Sequence, residues 1–140
     1  MTNSNKLFFL TILTYLHGYE NDPDICDEKI CMLFATIHMV KTGQTPYGYD
    51  PESTEVLRSV PEAQIKNFFE GYKNATRKKY DKQTGQRKMK EYLTRILAKE
   101  MGITEEELLH ECTKADCVAS MMTHGIHIDT TNDTGGETNG

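Results

Sequence analysis

The stretch that most constrains the fold runs from Gln86 to Gly125, where the sequence specifies two helices and the corner between them. Gly102 follows the last apolar position of the first helix, and a left-handed glycine ends a helix without a Cβ penalty. Thr104 stands three residues before Glu107, which is the spacing of a capping box. The sequence therefore predicts a helix pair that ends at Gly125. Its apolar stripes comprise Met89, Tyr92, Leu93, Ile96, Leu97 and Met101 on the first helix, and Leu108, Cys112, Ala115, Ala119 and Met122 on the second.

Helical patterns also cover most of the remaining chain. Asp22-Pro23 and Asp50-Pro51 each place a capping acid before a proline at the first helical position. No stretch shows the period-two alternation of a half-buried strand over five residues. At 140 residues the chain is of a size that usually forms one domain. We therefore predict an all-α fold, a compact single-domain bundle of five or six helices over residues 1–125. It includes a helix-turn-helix-like corner at 86–125 and is followed by a disordered C-terminal tail at 126–140.

The first predicted helix, residues 5–19, is apolar on most sides and belongs in the middle of a bundle or under a partner. A homodimer is therefore among the predicted assemblies. We also predict a turn at Asp81–Gly85. The residues expected to face the core from the second helix and from the helix that begins at Pro61 are Cys26, Ile30, Leu33, Phe34, Ile37 and Val40, and Ile65, Phe68, Phe69 and Tyr72.

Charge is strongly segregated along the chain. Residues 61–102 carry 11 Lys or Arg against 5 Asp or Glu, whereas residues 103–140 carry 1 against 8. Within residues 73–90 the only acid is Asp81. The cations of this basic block are candidates to bind nucleic-acid phosphates or an acidic protein, and the alternative is a solvated face offset by the acidic ends of the chain. They are Lys73, Arg77, Lys78, Lys79, Lys82, Arg87, Lys88 and Lys90.

Residues 97–104, together with Leu108, resemble a helix-turn-helix of the DNA-binding type. In that resemblance Ala98 lets the two helices approach and Gly102 makes the turn. The exposed start of the second helix carries only carboxylates: Glu105, Glu106, Glu107 and Glu111. Carboxylates repel phosphates, and affinity for DNA comes mostly from cations. A corner used only for packing, or a surface that binds protein, is therefore an alternative to base readout.

The cysteines form two C-x4-C pairs, Cys26/Cys31 and Cys112/Cys117. Five residues of α-helix rotate by about 500°, so the members of a pair point about 140° apart. This spacing disfavours chelation of one metal by a pair, and the rise of about 7.5 Å excludes a disulfide within either pair. We predict buried free thiols and no metal. The alternative is a zinc site that takes one cysteine from each helix and His38 or His110.

The chemistry of the sequence points away from catalysis. It contains no nucleophile elbow, no glycine-rich phosphate loop and no H-E-x-x-H motif, so we predict neither an enzyme nor a cofactor. Lys6 and the apolar run Leu7–Leu16 are not followed by a small-x-small cleavage site. The run is also too short to span a bilayer, so we expect a soluble cytoplasmic protein that does not act at a membrane.

These features together predict a small non-enzymatic regulatory or adaptor protein that binds another macromolecule through charged helical faces. A protein partner is the first expectation. One alternative is a nucleic-acid-binding regulator that uses the helix-turn-helix-like corner and the basic block 73–90. A second is an acidic inhibitor of a nucleic-acid enzyme, of phage or mobile-element type, whose acidic partner face comprises Glu105, Glu106, Glu107 and Glu111.

Overall fold

The computed structural model describes residues 1–46 and 51–113, which form six α-helices and one π-helix. No β-strand occurs in these two ranges, so the predicted all-α bundle is confirmed. The predicted domain end at 125 and the tail at 126–140 lie outside the described residues. The helices are, in order, α1 (Asn3–Gly18), α2 (Pro23–Lys41), α3 (Pro51–Arg58), α4 (Glu62–Lys73), the π-helix (Asn74–Lys79), α5 (Lys82–Met101) and α6 (Glu105–Cys112).

Helix α1 is the centre of the bundle. Every residue from Leu7 to Thr14 is buried, and α2, α3, α5 and α6 all pack against it. The two buried threonines satisfy their hydroxyls within the helix, since Thr11 and Thr14 donate to the carbonyls of Leu7 and Leu10, each at 2.8 Å. The apolar surface that suggested a homodimer is thus covered by the chain's own helices, and the oligomeric state stays a prediction.

The N-terminal ends of α2 and α5 are both capped by aspartate. Asp22 accepts from the Ile25 N–H at 3.3 Å, as the sequence predicted. Asp81 accepts from the Thr84 N–H at 2.8 Å, and this hydrogen bond holds the pKa of Asp81 below its ordinary value. The prediction of a turn through Gly85 is therefore wrong, because α5 already begins at Lys82.

Gly85 has a packing role in place of a turn role. It is buried inside α5, and a Cβ added there would lie 2.4 Å from the Ala75 carbonyl oxygen of the π-helix. The absence of a side chain lets the two backbones approach closely. This contact places the π-helix directly against the first turns of α5.

Two residues predicted to be in the core lie largely at the surface. Phe34 is 45% exposed, and its ring contacts Phe69 of α4 with centroids 4.4 Å apart. Tyr92 is 53% exposed, and the Arg95 guanidinium lies over its ring. The other predicted core positions of α2 and α4 are buried, and α5 buries Leu93, Leu97 and Ala98.

The corner between α5 and α6 has the predicted local geometry. Gly102 is left-handed with φ 70°. Thr104 Oγ1 accepts from the Glu107 N–H at 3.0 Å, while Glu107 Oε1 accepts from the Thr104 N–H at 2.9 Å. The capping box is confirmed, and its hydrogen bond lowers the pKa of Glu107. The resemblance to a DNA-binding corner stays a prediction, and the continuation of the second helix to Gly125 lies outside the described residues.

The close contact at Gly85 predicts a specific loss of stability. Gly85→Ala should lower the free energy of unfolding by about 1–3 kcal/mol. The new methyl group would collide with backbone atoms of Ala75 and Thr76, which cannot move aside as a flexible side chain could. Gly71→Ala in α4 is the matched control, since nothing lies within 4 Å of its added Cβ. Helix propensity alone should leave that variant neutral or more stable by up to about 1 kcal/mol. Urea unfolding followed by circular dichroism measures both, and equal stabilities would contradict the described contact.

Candidate binding surface of the basic block

The basic block is built as two helical arms joined by a reversal at Tyr80 and Asp81. The π-helix ends in an i to i+5 hydrogen bond from the Tyr80 N–H to the Ala75 carbonyl, at 3.2 Å. Thr76 is buried and donates its hydroxyl to the Tyr72 carbonyl at 2.8 Å. Helix α5 then runs back along the π-helix, so cations from both arms lie on neighbouring elements. π-Helical turns are rare and often lie at functional sites.

Asp27 of α2 attaches this block to the bundle. Its side chain is only 14% exposed, and its Oδ1 accepts from the Tyr72 hydroxyl at 2.7 Å. Its Oδ2 lies 3.4 Å from Arg77 Nη2 and 3.8 Å from Lys82 Nζ. Gln86 Nε2 donates to the same hydroxyl at 3.1 Å. Burial raises the pKa of Tyr72, so the phenol remains a hydrogen-bond donor to the carboxylate.

Two further ion pairs join the N-terminal half of α5 to α2 and to the connection between α1 and α2. Lys82 Nζ lies 2.9 Å from Asp24 Oδ1, and this hydrogen bond raises the pKa of Lys82. Lys90 donates to Glu20, and that hydrogen bond lowers the pKa of Glu20. With Arg77, three of the eight predicted binding cations are therefore engaged inside the molecule. These pairs were not predicted from the sequence, because each acid lies fifty or more residues away from its cation along the chain.

The remaining five cations are exposed, and none of them has a carboxylate at ion-pair distance among residues 1–46 and 51–113. They are Lys73, Lys78, Lys79, Arg87 and Lys88. Lys79 from the π-helix and Lys88 from α5 converge on the ring of Tyr80, with Nζ atoms 5.6 and 5.4 Å from its centroid. We call the group formed by Lys78, Lys79, Tyr80, Arg87 and Lys88 the Tyr80 cationic surface. The nearest acid in sequence, Asp81, has its carboxylate directed to Thr84 as a helix cap.

The acidic end of the described chain lies far from this surface. Helix α5 has 20 residues, so its two ends are roughly 30 Å apart. The Tyr80 cationic surface is at its first turns, and α6 follows its last turn. The four predicted acidic residues are exposed, but Glu107 is engaged in the capping box. Their use as a partner face stays a prediction.

The cysteines show two kinds of environment. Cys26 and Cys112 are buried, and burial raises the pKa of the Cys26 thiol to about 12. Cys31 is exposed, so the prediction of a buried thiol is wrong there, although the two members of the first pair do point to different faces. Cys117 lies outside the described residues. In the part of the chain that the structure describes, no three His, Cys, Asp or Glu side chains form a group able to hold a metal.

No protein-family model, curated protein or solved structure matches this chain. Over the described ranges, no helix is both long enough and apolar enough to cross a bilayer. A function is therefore inferred from the chemistry of the chain's own surface.

The contacts of Asp27 with Tyr72, Arg77 and Lys82, here called the Asp27 cluster, predict that two acids of α2 contribute unequally to stability. Asp27→Asn should lower the free energy of unfolding by about 1–3 kcal/mol, because charge-assisted hydrogen bonds in a partly buried site are lost. Asp24 also contacts Lys82, but its side chain is 86% exposed, so Asp24→Asn should cost less than about 0.5 kcal/mol. Urea titration at neutral pH compares the two variants. A cost for Asp24→Asn equal to that for Asp27→Asn would show that the cluster is not what attaches the basic block.

Proposed function

We propose that this protein is a small non-enzymatic regulatory or adaptor protein that binds an acidic surface of another protein through the Tyr80 cationic surface. The observation that carries the proposal is the convergence of Lys79 and Lys88 on one aromatic ring, with no carboxylate that neutralises either of them among the described residues. Like charges held close together repel, and an acidic partner relieves that repulsion on binding. Tyr80 adds an amphipathic ring of the kind enriched at protein interfaces.

The contrast with the neutralised cations supports the proposal. Acids of α2 and of the connection between α1 and α2 pair with Arg77, Lys82 and Lys90, yet none among the described residues pairs with the five exposed cations. The paired group stabilises the fold, which leaves the exposed group available to a partner. Buried Cys26 is a free thiol, which accords with a reducing compartment, and we propose that the protein acts in the cytoplasm.

Nucleic acid is the alternative partner, and the five exposed cations are the observation that favours it. Two features favour protein. Affinity for phosphates scales with the number of cations that contact them, and three of the eight are engaged internally. The exposed start of α6, which would read bases in a helix-turn-helix, carries Glu105 and Glu106 and follows the far end of α5, roughly 20–30 Å along the helix axis from the Tyr80 cationic surface.

Charge-reversal variants with equal net charge test this proposal. Lys79→Glu/Lys88→Glu alters the Tyr80 cationic surface, and Arg95→Glu/Lys99→Glu makes the same charge change further along α5. Binding of a fluorescent Glu-rich peptide is measured by anisotropy across a salt series. The first variant should weaken binding by about tenfold or more, because two close charge pairs are reversed, and the control by less than about threefold.

Parallel titrations with single-stranded and duplex DNA of equal charge decide between the partners. If DNA binds more tightly than the peptide, with a steep salt dependence lost in Lys79→Glu/Lys88→Glu, the nucleic-acid alternative replaces the proposal. Equal weakening in both variants would show that only overall charge matters and would refute a defined surface.

A further inference from the structure

The outward face of α2 is free of charge over most of its length. From Ile30 to Val40 the sequence contains no charged residue, although α2 packs against the bundle along one side only. The buried side comprises Cys26, Ile30, Leu33, Ile37 and Val40. The side chains left exposed in this run are Cys31, Met32, Phe34, Ala35 and His38.

Two of these exposed residues are large and apolar, with Met32 55% and Phe34 45% exposed. Ala35 lies between them along the helix surface and, being small, allows another helix to approach closely. Isolated exposed apolar side chains are common on protein surfaces, but a contiguous patch without charges typically marks an interaction site. Methionine also adapts its shape readily to a partner. We call Cys31, Met32, Phe34, Ala35 and His38 the α2 outer face.

Helix α4 forms one edge of this face and supplies positive charge. Three contacts show that α4 runs antiparallel to α2: Lys41 with Glu62 at 3.9 Å, Phe34 with Phe69, and Asp27 with Tyr72. Lys66 and Lys73 stand three residues before and four after Phe69, so they share its side of α4. Both lysines are exposed, and neither has an acidic partner among the described residues.

Asp27, which lies one helical turn before Cys31 on the same side of α2, contacts Arg77 and Lys82, so the basic block is close to this end of the face. Partial burial and the charge of Asp27 raise the pKa of the Cys31 thiol, and the positive charges of Arg77, Lys82 and Lys73 act in the opposite direction. The N-terminal end of the α2 outer face therefore borders the basic block, in which Lys73 is exposed and has no carboxylate at ion-pair distance among the described residues. Apolar and cationic surfaces are continuous here.

We propose that the α2 outer face binds an amphipathic helix of the partner protein, with the apolar side of that helix on Met32 and Phe34 and its carboxylates beside Lys66 and Lys73. This inference rests on the proposed function: it assumes an acidic protein partner and specifies that the binding segment of that partner is an amphipathic helix. An amphipathic helix presents an apolar stripe at i, i+3, i+4 and i+7, and the exposed positions Cys31, Phe34, Ala35 and His38 of α2 have the same spacing, with Met32 on the flank beside Ala35. Nucleic acid has no apolar stripe to cover such a face.

A synthetic peptide of about 18 residues, roughly five helical turns, serves as the probe. It carries leucines along one stripe and glutamates on both flanks. One control peptide has the same composition in scrambled order, and a second has every glutamate replaced by lysine. The acidic amphipathic peptide should bind in an anisotropy titration, and both controls should bind at least about tenfold more weakly, since they lack the stripe or the charge.

Protein variants locate the peptide on the surface. Met32→Asp should weaken binding by about tenfold or more, whereas Tyr92→Asp, an equally exposed position on α5, should leave it within about threefold. The peptide should also slow alkylation of Cys31 by N-ethylmaleimide in a Cys117→Ser background, because it covers the exposed thiol. Circular dichroism of both aspartate variants checks that the fold is intact.

Three outcomes would overturn this inference: equal binding of the scrambled peptide, no effect of Met32→Asp, or unchanged alkylation of Cys31. Sedimentation of the free protein tests a second copy as the occupant, and a dimer abolished by Met32→Asp would replace the partner helix. Failure here is distinguishable from failure of the proposed function. If Lys79→Glu/Lys88→Glu still weakens binding of the Glu-rich peptide while Met32→Asp changes nothing, the Tyr80 cationic surface stands and only the helical docking mode is wrong.

Discussion

The fold depends on the burial of one helix that is apolar on nearly all sides. Such a helix cannot lie at the edge of a bundle without exposing a large area of hydrocarbon to water, so other helices must surround it. In this protein α2, α3, α5 and α6 do so, and even Thr11 and Thr14 of α1 satisfy their hydroxyls locally. Because these helices form the core around α1, the outward sides of α2, α5 and the π-helix are not needed for core packing.

The folded structure divides the cations of the basic block into a group that forms internal ion pairs and a group that stays exposed. Acids near the α1–α2 connection hold Arg77, Lys82 and Lys90, and thereby fix the basic block to the bundle. The exposed cations beside them gain no such partners among the described residues. A single run of basic residues in the sequence thus serves two ends: one part stabilises the fold, and the other part creates a positive surface next to an apolar one.

The features that the sequence predicted correctly are those that depend on neighbouring residues along the chain. The caps at Asp22 and Thr104 and the left-handed Gly102 depend on residues within four positions, so their patterns are legible. The sequence-based predictions were wrong where the structure depends on contacts between elements that are distant along the chain. Gly85 resembles a turn residue until Ala75 is placed against it, and helical periodicity cannot tell that Tyr92 and Phe34 lie just outside the buried arc. The sequence predicted the cations of the basic block. It did not predict which of them form internal ion pairs, and it did not predict the α2 outer face.

The π-helix makes the angular position of the basic surface sensitive to chain length. An i to i+5 turn accommodates one residue more than an α-helical turn, and each residue of a helix rotates the chain by about 100°. Loss of one residue between Asn74 and Lys79 would therefore convert the segment to an ordinary turn and swing Lys79 and Tyr80 about a quarter of the way round the axis. Exchange of one cation for another leaves that direction intact. An insertion or deletion in this segment therefore changes the direction of the Tyr80 cationic surface, which a substitution leaves in place.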